Sequence, residues 1–288
     1  MASNFIKSLV ATKTTYKSQH VDIPPDFLQG PSDQPITLTP VPFAAAGIPE
    51  YEGCLAVTLE NVLSKEECQQ LIRMAEESAI NEPEDTENDS PWRPAKIAVG
   101  PGYEKAIPGY RESDRIIWDN QDIPDRVWAR CAQADGLEHM LASVEEEVSK
   151  WSNPKQKGAW HFSRVNNRMR FLRYSKGNFF KPHRDSPYWY TEGDKEFMTH
   201  YTLHLYLNDS AAASSDSDLA GGATAFLSPD GKRRIDVNPK VGSVLIFQHS
   251  RLLHEGATVT QGQKFTVRMD ILYELIRQAT AAGSKEPK

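Results

Sequence analysis

KPHRDSPYW (181–189) and SRLLHEGATVTQGQKFTVRMDILY (250–273) are the two stretches whose reading decides this chain, because between them they carry His183, Asp185 and His254. Two imidazoles and one carboxylate can occupy one face of an octahedral ferrous ion and leave the opposite face open. The same donors also suit zinc. His183 and Asp185 are two residues apart, so on an extended strand their side chains leave on the same side and can reach one ion. The third donor must then come from elsewhere in the fold, and His254 lies beyond several strand-like runs. A bare His-x-Asp arises often by chance, and a single histidine is more often a hydrogen-bonded structural residue than a ligand, so the surroundings of the trio decide its meaning.

Those surroundings are strands. RMRFLRYS, THYTLHLYLN, TAFLS, RRIDVN, GSVLIFQ and KFTVRMDILY follow one another after residue 160, separated by Gly, Pro, Asn and Asp. In THYTLHLYLN, Thr202, His204 and Tyr206 fall on one face and Leu203, Leu205 and Leu207 on the other. In KFTVRMDILY, Lys264, Thr266, Arg268 and Asp270 oppose Phe265, Val267, Met269 and Ile271. RMRFLRYS places Arg170, Leu172 and Tyr174 together. Either these are ordinary antiparallel strands with a polar face in water, or the polar faces line the inside of a barrel.

Upstream, Ser64 followed by Glu67 is a capping box, and Cys68, Leu71, Ile72 and Ala75 continue at helical spacing to about Ser78. SDRIIW (113–118) reads as a strand, and residues 125–150 as a helical region with a weak point at Gly136. Helices followed by many short strands indicate an α+β protein whose C-terminal half is a sandwich or jelly roll. Residues 1–50 form an extended, proline-rich arm whose first twenty residues are basic, lack arginine and read as a solvated tail rather than a mitochondrial presequence. Residues 51–276 then form one domain, with a helical N-terminal part and the jelly-roll core from about 160, and 277–288 a disordered tail. The acidic stretch NEPEDTENDSP (81–91) reads as a solvated loop, and SAAASSDSD (210–218) as a surface loop placed to act as a lid.

The 288 residues are 39% apolar and 25% charged, the balance of a soluble globular chain. A net charge of −6 with a pI near 5.8 argues against nucleic-acid or membrane-surface binding, which needs a basic excess. Cys54, Cys68 and Cys131 are scattered and odd in number, which suggests neither disulfides nor a zinc ribbon and fits a reducing, cytoplasmic setting. No apolar run approaches the ~20 residues of a membrane helix, and no secretory signal is visible.

Taken together, LSKEECQQLI, SDRIIW, YSKGNFFKPHRD, LYLND, GGATAF, VGSVLIFQHSRLLHEG and the V-x-x-G-x-K-F run at 259–265 resemble the iron(II)- and 2-oxoglutarate-dependent dioxygenases, within them the prolyl 4-hydroxylase-like branch. The resemblance spans about residues 55–275. It implies a double-stranded β-helix, a distorted jelly roll with helices packed on one sheet. His183, Asp185 and His254 become the implied ligands of Fe(II), and 2-oxoglutarate and molecular oxygen the implied cosubstrates. The implied reaction hydroxylates an unactivated C–H bond and releases succinate and carbon dioxide. Asp185 speaks against a halogenase, in which the carboxylate position is vacated.

Lys264, ten residues after His254, stands where the prolyl 4-hydroxylases hold the distal carboxylate of 2-oxoglutarate. Arg268 shares its face, and an arginine fork is the better bidentate carboxylate partner, which favours Arg268 on chemistry, the alternative being that an Asp270 partner makes Arg268 purely structural. Tyr174 and Tyr206 match tyrosines of the cosubstrate pocket, Tyr206 as a hydrogen-bonding partner of the distal carboxylate. Gly221 and Gly222 read as architectural. Arg111, Asp114, Arg115 and Trp118 are placed to face the mouth of the site. A small metabolite and a protein prolyl residue are both compatible substrates, and the competing readings are a non-catalytic binding or scaffold module on the same fold and a zinc hydrolase.

Overall fold

The computed structural model describes residues 10–80, 90–100, 102–144 and 158–277. Its centre is the strand Gln263–Arg277, flanked by Lys195–Tyr206 on one side and Arg168–Ser175 on the other, all antiparallel. Val244–Gln248 and Ala56–Glu60 extend this sheet one way and Asp114–Asp119 the other, within eleven strands. A second sheet of five strands runs Arg234–Val237, Thr224–Leu227, Leu253–Gly256, Phe179–His183 and Arg111–Glu112. Two antiparallel sheets held face to face are the sandwich or jelly roll expected from the strand pattern and the double-stranded β-helix that the resemblance implies.

The alternation of the central strands explains why the sheets sandwich. Leu203, Leu205, Val267, Met269 and Ile271 are fully buried in one apolar cluster with the helix residues Cys68, Leu71, Met74 and Ala75. The opposite face is also dry: Thr202, Lys264, Thr266 and Asp270 are all buried. A polar face in water is therefore the wrong alternative, because the second sheet covers it. Edge-to-face contacts of Phe226 with Phe247 (5.4 Å between centroids) and a hydrogen bond from Tyr206 Oη to Thr224 Oγ1 (2.7 Å) knit the two sheets together.

The helix Lys65–Ser78 begins at the expected capping box: Glu67 N donates to Ser64 Oγ (3.1 Å) and Ser64 N donates to Glu67 Oε2 (2.7 Å). Glu67 also accepts from Arg130 Nη2 (3.0 Å), which ties this helix to the next, Asp122–Cys131. The single helical region expected over 125–150 is instead two short helices, Asp122–Cys131 and Leu137–Leu141, interrupted where Gly136 takes φ +77°. Its C-terminal part, like the acidic stretch at 81–89, lies outside the described residues.

The N-terminal arm is docked rather than loose. Thr37–Pro40 pairs with Ala56–Glu60 as a further strand of the large sheet, and Thr12–Lys13 pairs with Tyr103–Lys105. Val21, Phe27 and Leu28 join the main core, while Arg126 and Arg130 donate to the carbonyls of Phe27 (2.6 Å) and Gly30 (2.7 Å). The prolines remove donors but leave carbonyls, and the arginines of a neighbouring helix satisfy them. All three cysteines are free thiols, and burial pushes Cys68 and Cys131 up to about 12. Among the described residues no helix is long and apolar enough to cross a membrane.

The glycine pair before Thr224–Leu227 is architectural, as expected. Gly221 takes φ +74°, and a Cβ there would sit 2.2 Å from the carbonyl oxygen of Thr258. Gly177 also has positive φ (+86°), but nothing lies within 4 Å of its would-be Cβ. Gly221→Ala is expected to cost roughly 2–4 kcal/mol and Gly177→Ala only about 1 kcal/mol. Thermal melts of the two variants check this, and equal losses would contradict the steric account.

Candidate functional site

The site lies between the sheets. His183 ends the strand Phe179–His183 and faces His254 directly across the antiparallel pair to Leu253–Gly256, their rings 4.3 Å apart. Asp185 follows just beyond the strand end. Its carboxylate oxygens lie 3.8 Å from His183 Nε2 and 3.8 Å from His254 Nε2. The donor atoms of the three all lie within 4.8 Å of one another, and no other group of three His, Cys, Asp or Glu among the described residues is so placed.

Each imidazole is oriented by backbone. His183 Nδ1 lies 2.7 Å from the carbonyl of Lys181, and His254 Nδ1 3.2 Å from that of Leu252. A carbonyl only accepts, so both rings carry hydrogen on Nδ1 and turn the Nε2 lone pair to the site. Burial holds the His183 imidazole down to about 3, with His254 adding to the effect, and burial lowers His254 too. Both are therefore neutral near pH 7, the form that binds a metal. Phe180 stacks on His183 with ring centroids 3.7 Å apart, and the Arg111 guanidinium lies 4.6 Å from the Phe180 ring centroid.

Asp185 is kept ionised. Burial alone would raise its carboxyl, but Arg268, then His254, His249 and His183, outweigh that and hold it well below the usual carboxylate range. Arg268 Nη2 stands 3.2 Å from Asp185 Oδ2, and Thr202 Oγ1 donates to the same oxygen at 2.6 Å. Arg268 Nη2 also donates to Asp270 Oδ1 (3.0 Å), whose other oxygen accepts from Arg170 Nη1 (2.8 Å). Asp185, Arg268, Asp270 and Arg170 thus form a chain of alternating charge.

The two cations singled out for a carboxylate clamp keep different company. Arg268, favoured on chemistry, has its Nη2 committed to two carboxylates, while its Nε has no partner. Lys264 is 2% exposed and makes no ion pair or hydrogen bond within the described residues. Its Nζ lies 5.4 Å from the Tyr174 ring centroid and 5.5 Å from that of Tyr206, and burial pulls its ammonium down to about 7. Lys264, Arg268, Tyr174 and all three members of the trio line a narrow cavity of about 50 Å³. Tyr206 itself does not reach this cavity; its hydroxyl is spent on Thr224 Oγ1, and Thr224 presents the polar surface in its place.

Of the upstream residues expected at the mouth, only Arg111 lines the cavity. Asp114 pairs with Arg173 (2.8 Å), Arg115 bonds Glu104 and Tyr16, and Trp118 is buried in the core. The 210–218 loop is anchored by Ser210 N to the carbonyl of Pro239 (2.8 Å) and lines neither this cavity nor a larger one of about 480 Å³ beside Asp185. Thr202, His204 and Arg170, which the alternation grouped on polar faces without giving them a role, line the cavity, as does Thr224, which no alternation singled out.

Residues 169–269 match the model of the 2OG-Fe(II) oxygenase superfamily. The chain carries that domain over these residues, and iron(II), 2-oxoglutarate and molecular oxygen are what the domain implies. Among curated protein sequences there is no match. Similar solved structures include a Pseudomonas putida prolyl-4-hydroxylase (15% identity over 80% of this chain and 99% of that one, TM-score 0.45). A viral collagen prolyl hydroxylase from Paramecium Bursaria Chlorella virus-1 is 17% identical over 77% of this chain and 97% of that one (TM-score 0.42). A Trichoplax adhaerens prolyl hydroxylase in complex with a hypoxia inducible factor peptide fragment is 11% identical over 79% and 89% (TM-score 0.47).

The donor set fits iron, and an uncompensated ammonium beside it fits a carboxylate ligand. Lys264 has a stability consequence of its own, because its pKa is lower in the folded chain than in the unfolded one. The unfolded chain binds the extra proton between about pH 7 and 10.5, so the penalty is full below pH 7 and vanishes above about 10.5. Lys264→Met is therefore expected to melt several degrees higher than the unsubstituted protein at pH 6 without 2-oxoglutarate, and to lose that advantage as pH rises through this window. Melting curves across the pH series check this; a destabilised variant at pH 6 would contradict it.

Proposed function

We propose that His183, Asp185 and His254 hold the Fe(II), that Lys264 takes the distal carboxylate of 2-oxoglutarate, and that the enzyme hydroxylates an unactivated C–H bond in the manner of the prolyl 4-hydroxylase-like branch. The observation that carries this reading is the convergence of three oriented metal donors on a cavity that also holds a buried ammonium with no anionic partner. Iron bound there with 2-oxoglutarate and oxygen supplies the oxidising chemistry that converts 2-oxoglutarate to succinate and carbon dioxide and hydroxylates the substrate.

The chain's own residues supply position and charge. Nδ1–H bonds to the Lys181 and Leu252 carbonyls fix the two imidazoles before metal arrives, which lowers the ordering cost of binding. Thr202 donates to one oxygen of Asp185 and Arg268 balances its charge, so the carboxylate stays ionised in a dry site. A carboxylate beside Lys264 satisfies the one cation that the protein leaves unmet, with Tyr174 and Thr224 as neighbours. Leu172, Phe180 and Phe247 line the same cavity and exclude water from it. The substrate is a small molecule or a peptidyl group. A lysine ten residues after His254, with the order of the surrounding motifs, supports the prolyl 4-hydroxylase-like branch.

Asp185→Ala is expected to abolish succinate formation that depends on added Fe(II). Lys264→Ala is expected to raise the KM for 2-oxoglutarate at least about tenfold. Arg268→Ala is expected to act mainly through weaker iron retention, because its partner is Asp185. Steady-state kinetics with iron titration separate these, and equal, negligible effects of the two cation variants would refute the clamp assignment.

The lowered Lys264 also sets a pH dependence. A bound carboxylate favours the charged ammonium, so binding above about pH 7 draws in a proton and weakens as pH rises. Calorimetry of 2-oxoglutarate binding under anaerobic conditions is expected to show proton uptake at pH 8 that is absent in Lys264→Arg; equal uptake by both would show that Lys264 is not the group involved.

A further inference from the structure

The larger cavity, about 480 Å³, shares one residue with the cosubstrate cavity: Asp185 lines both. Its volume is in the range of small-molecule sites. Two features of its lining call for a ligand. His200 and His249 are 9% and 4% exposed, and His200 Nε2 and His249 Nδ1 have no hydrogen-bond partner, while His249 Nε2 lies 3.6 Å from Asp270 Oδ1. Buried polar atoms left unmet cost free energy that a bound polar molecule recovers.

The second feature is a pair of arginines. Arg184 and Arg251 also line this cavity, and within the described residues neither is within ion-pair distance of a carboxylate. Each is steadied by a carbonyl instead: Arg184 Nε donates to Arg251 O (3.1 Å), and Arg251 Nη2 donates to Glu50 O (2.7 Å). Arg251 is held at φ +69°, a backbone conformation disfavoured for a side chain with a Cβ, between Gln248 and the metal-site residue His254. Elsewhere the protein pairs its arginines freely, as in Arg233 with Glu50 (2.5 Å) and Arg234 with Asp236 (2.6 Å). Both arginines are solvent-exposed at the rim of this polar cavity, where guanidiniums free of carboxylates can receive an anion.

We infer that this cavity binds the primary substrate and that the substrate is a small carboxylic acid, its carboxylate received by Arg184 and Arg251 and its other polar groups by His200 and His249. This rests on the oxygenase reading and adds the substrate class to it. Glu50 and Asp185 also line the cavity, and their negative charge favours a monoanionic carboxylate over a phosphate ester. With the carboxylate at the arginines, the remainder of the molecule extends toward Asp185, the one residue common to both cavities.

The test uses the full chain loaded with Mn(II) and 2-oxoglutarate, titrated calorimetrically with the proteinogenic L-amino acids and with straight-chain acids from butyrate to octanoate, each beside its carboxamide. At least one free acid is expected to bind about tenfold or more tightly than its amide. That preference is expected to fall to near unity in the Arg184→Gln, Arg251→Gly double variant, where glycine suits the positive φ and spares the backbone. The inference is overturned if no acid binds, if acid and amide bind alike, or if the preference survives in the double variant. Succinate release by the unsubstituted enzyme with Fe(II) and 2-oxoglutarate alone tests the oxygenase reading separately.

Discussion

Between Asp185 and Arg268 runs the contact on which the rest of the site depends, because a metal-binding carboxylate in a dry interior must remain ionised before any metal arrives. Burial opposes that, and a guanidinium 3.2 Å away with a threonine hydroxyl at 2.6 Å reverses it. Arg268 is itself half-buried, so it needs further compensation, which Asp270 supplies, and Arg170 closes the chain. The alternation of charge makes each member affordable only in the presence of the next. That requirement dictates a strand pattern with polar residues inward on three adjacent strands and a second sheet to enclose them.

Lys264 stands outside this chain. It lies on the same strand face, four residues from Arg268, and is buried with aromatic rings but no acid beside it. A protein gains no stability from such a group, so its retention points to a ligand that brings the missing charge. The contrast with Arg268 separates two cations that look interchangeable in sequence: one is paired with Asp185, and the other has no acid beside it.

Much of this was legible in the residues. The period-two alternation in THYTLHLYLN and KFTVRMDILY grouped the polar residues on one face correctly, leaving open whether that face met water or lined a barrel, and the Ser64 and Glu67 pair marked the helix start. What sequence could not supply was pairing. The preference for Arg268 came from guanidinium geometry; Asp270 on the same strand was legible as an alternative, structural partner, but Asp185 arrives from a loop and could not be paired from sequence. Tyr206 has the right face and still misses the cavity, because Thr224 on the opposite sheet takes its hydroxyl. The proline-rich arm read as extended and irregular because its prolines remove backbone donors; its docking depends on Arg126 and Arg130, about a hundred residues away in sequence. Likewise Gly136 proved a break rather than a weak point, since its φ of +77° is incompatible with a continuous helix.

The central claim is a division of labour between Lys264 and Arg268 around one metal held by His183, Asp185 and His254. An anaerobic crystal structure with Mn(II) and 2-oxoglutarate tests it most directly. The expected result is a single metal on the three named side chains, with the distal carboxylate on Lys264 Nζ and Arg268 still paired to Asp185. A distal carboxylate seated on Arg268, or a metal bound without Asp185, would contradict it.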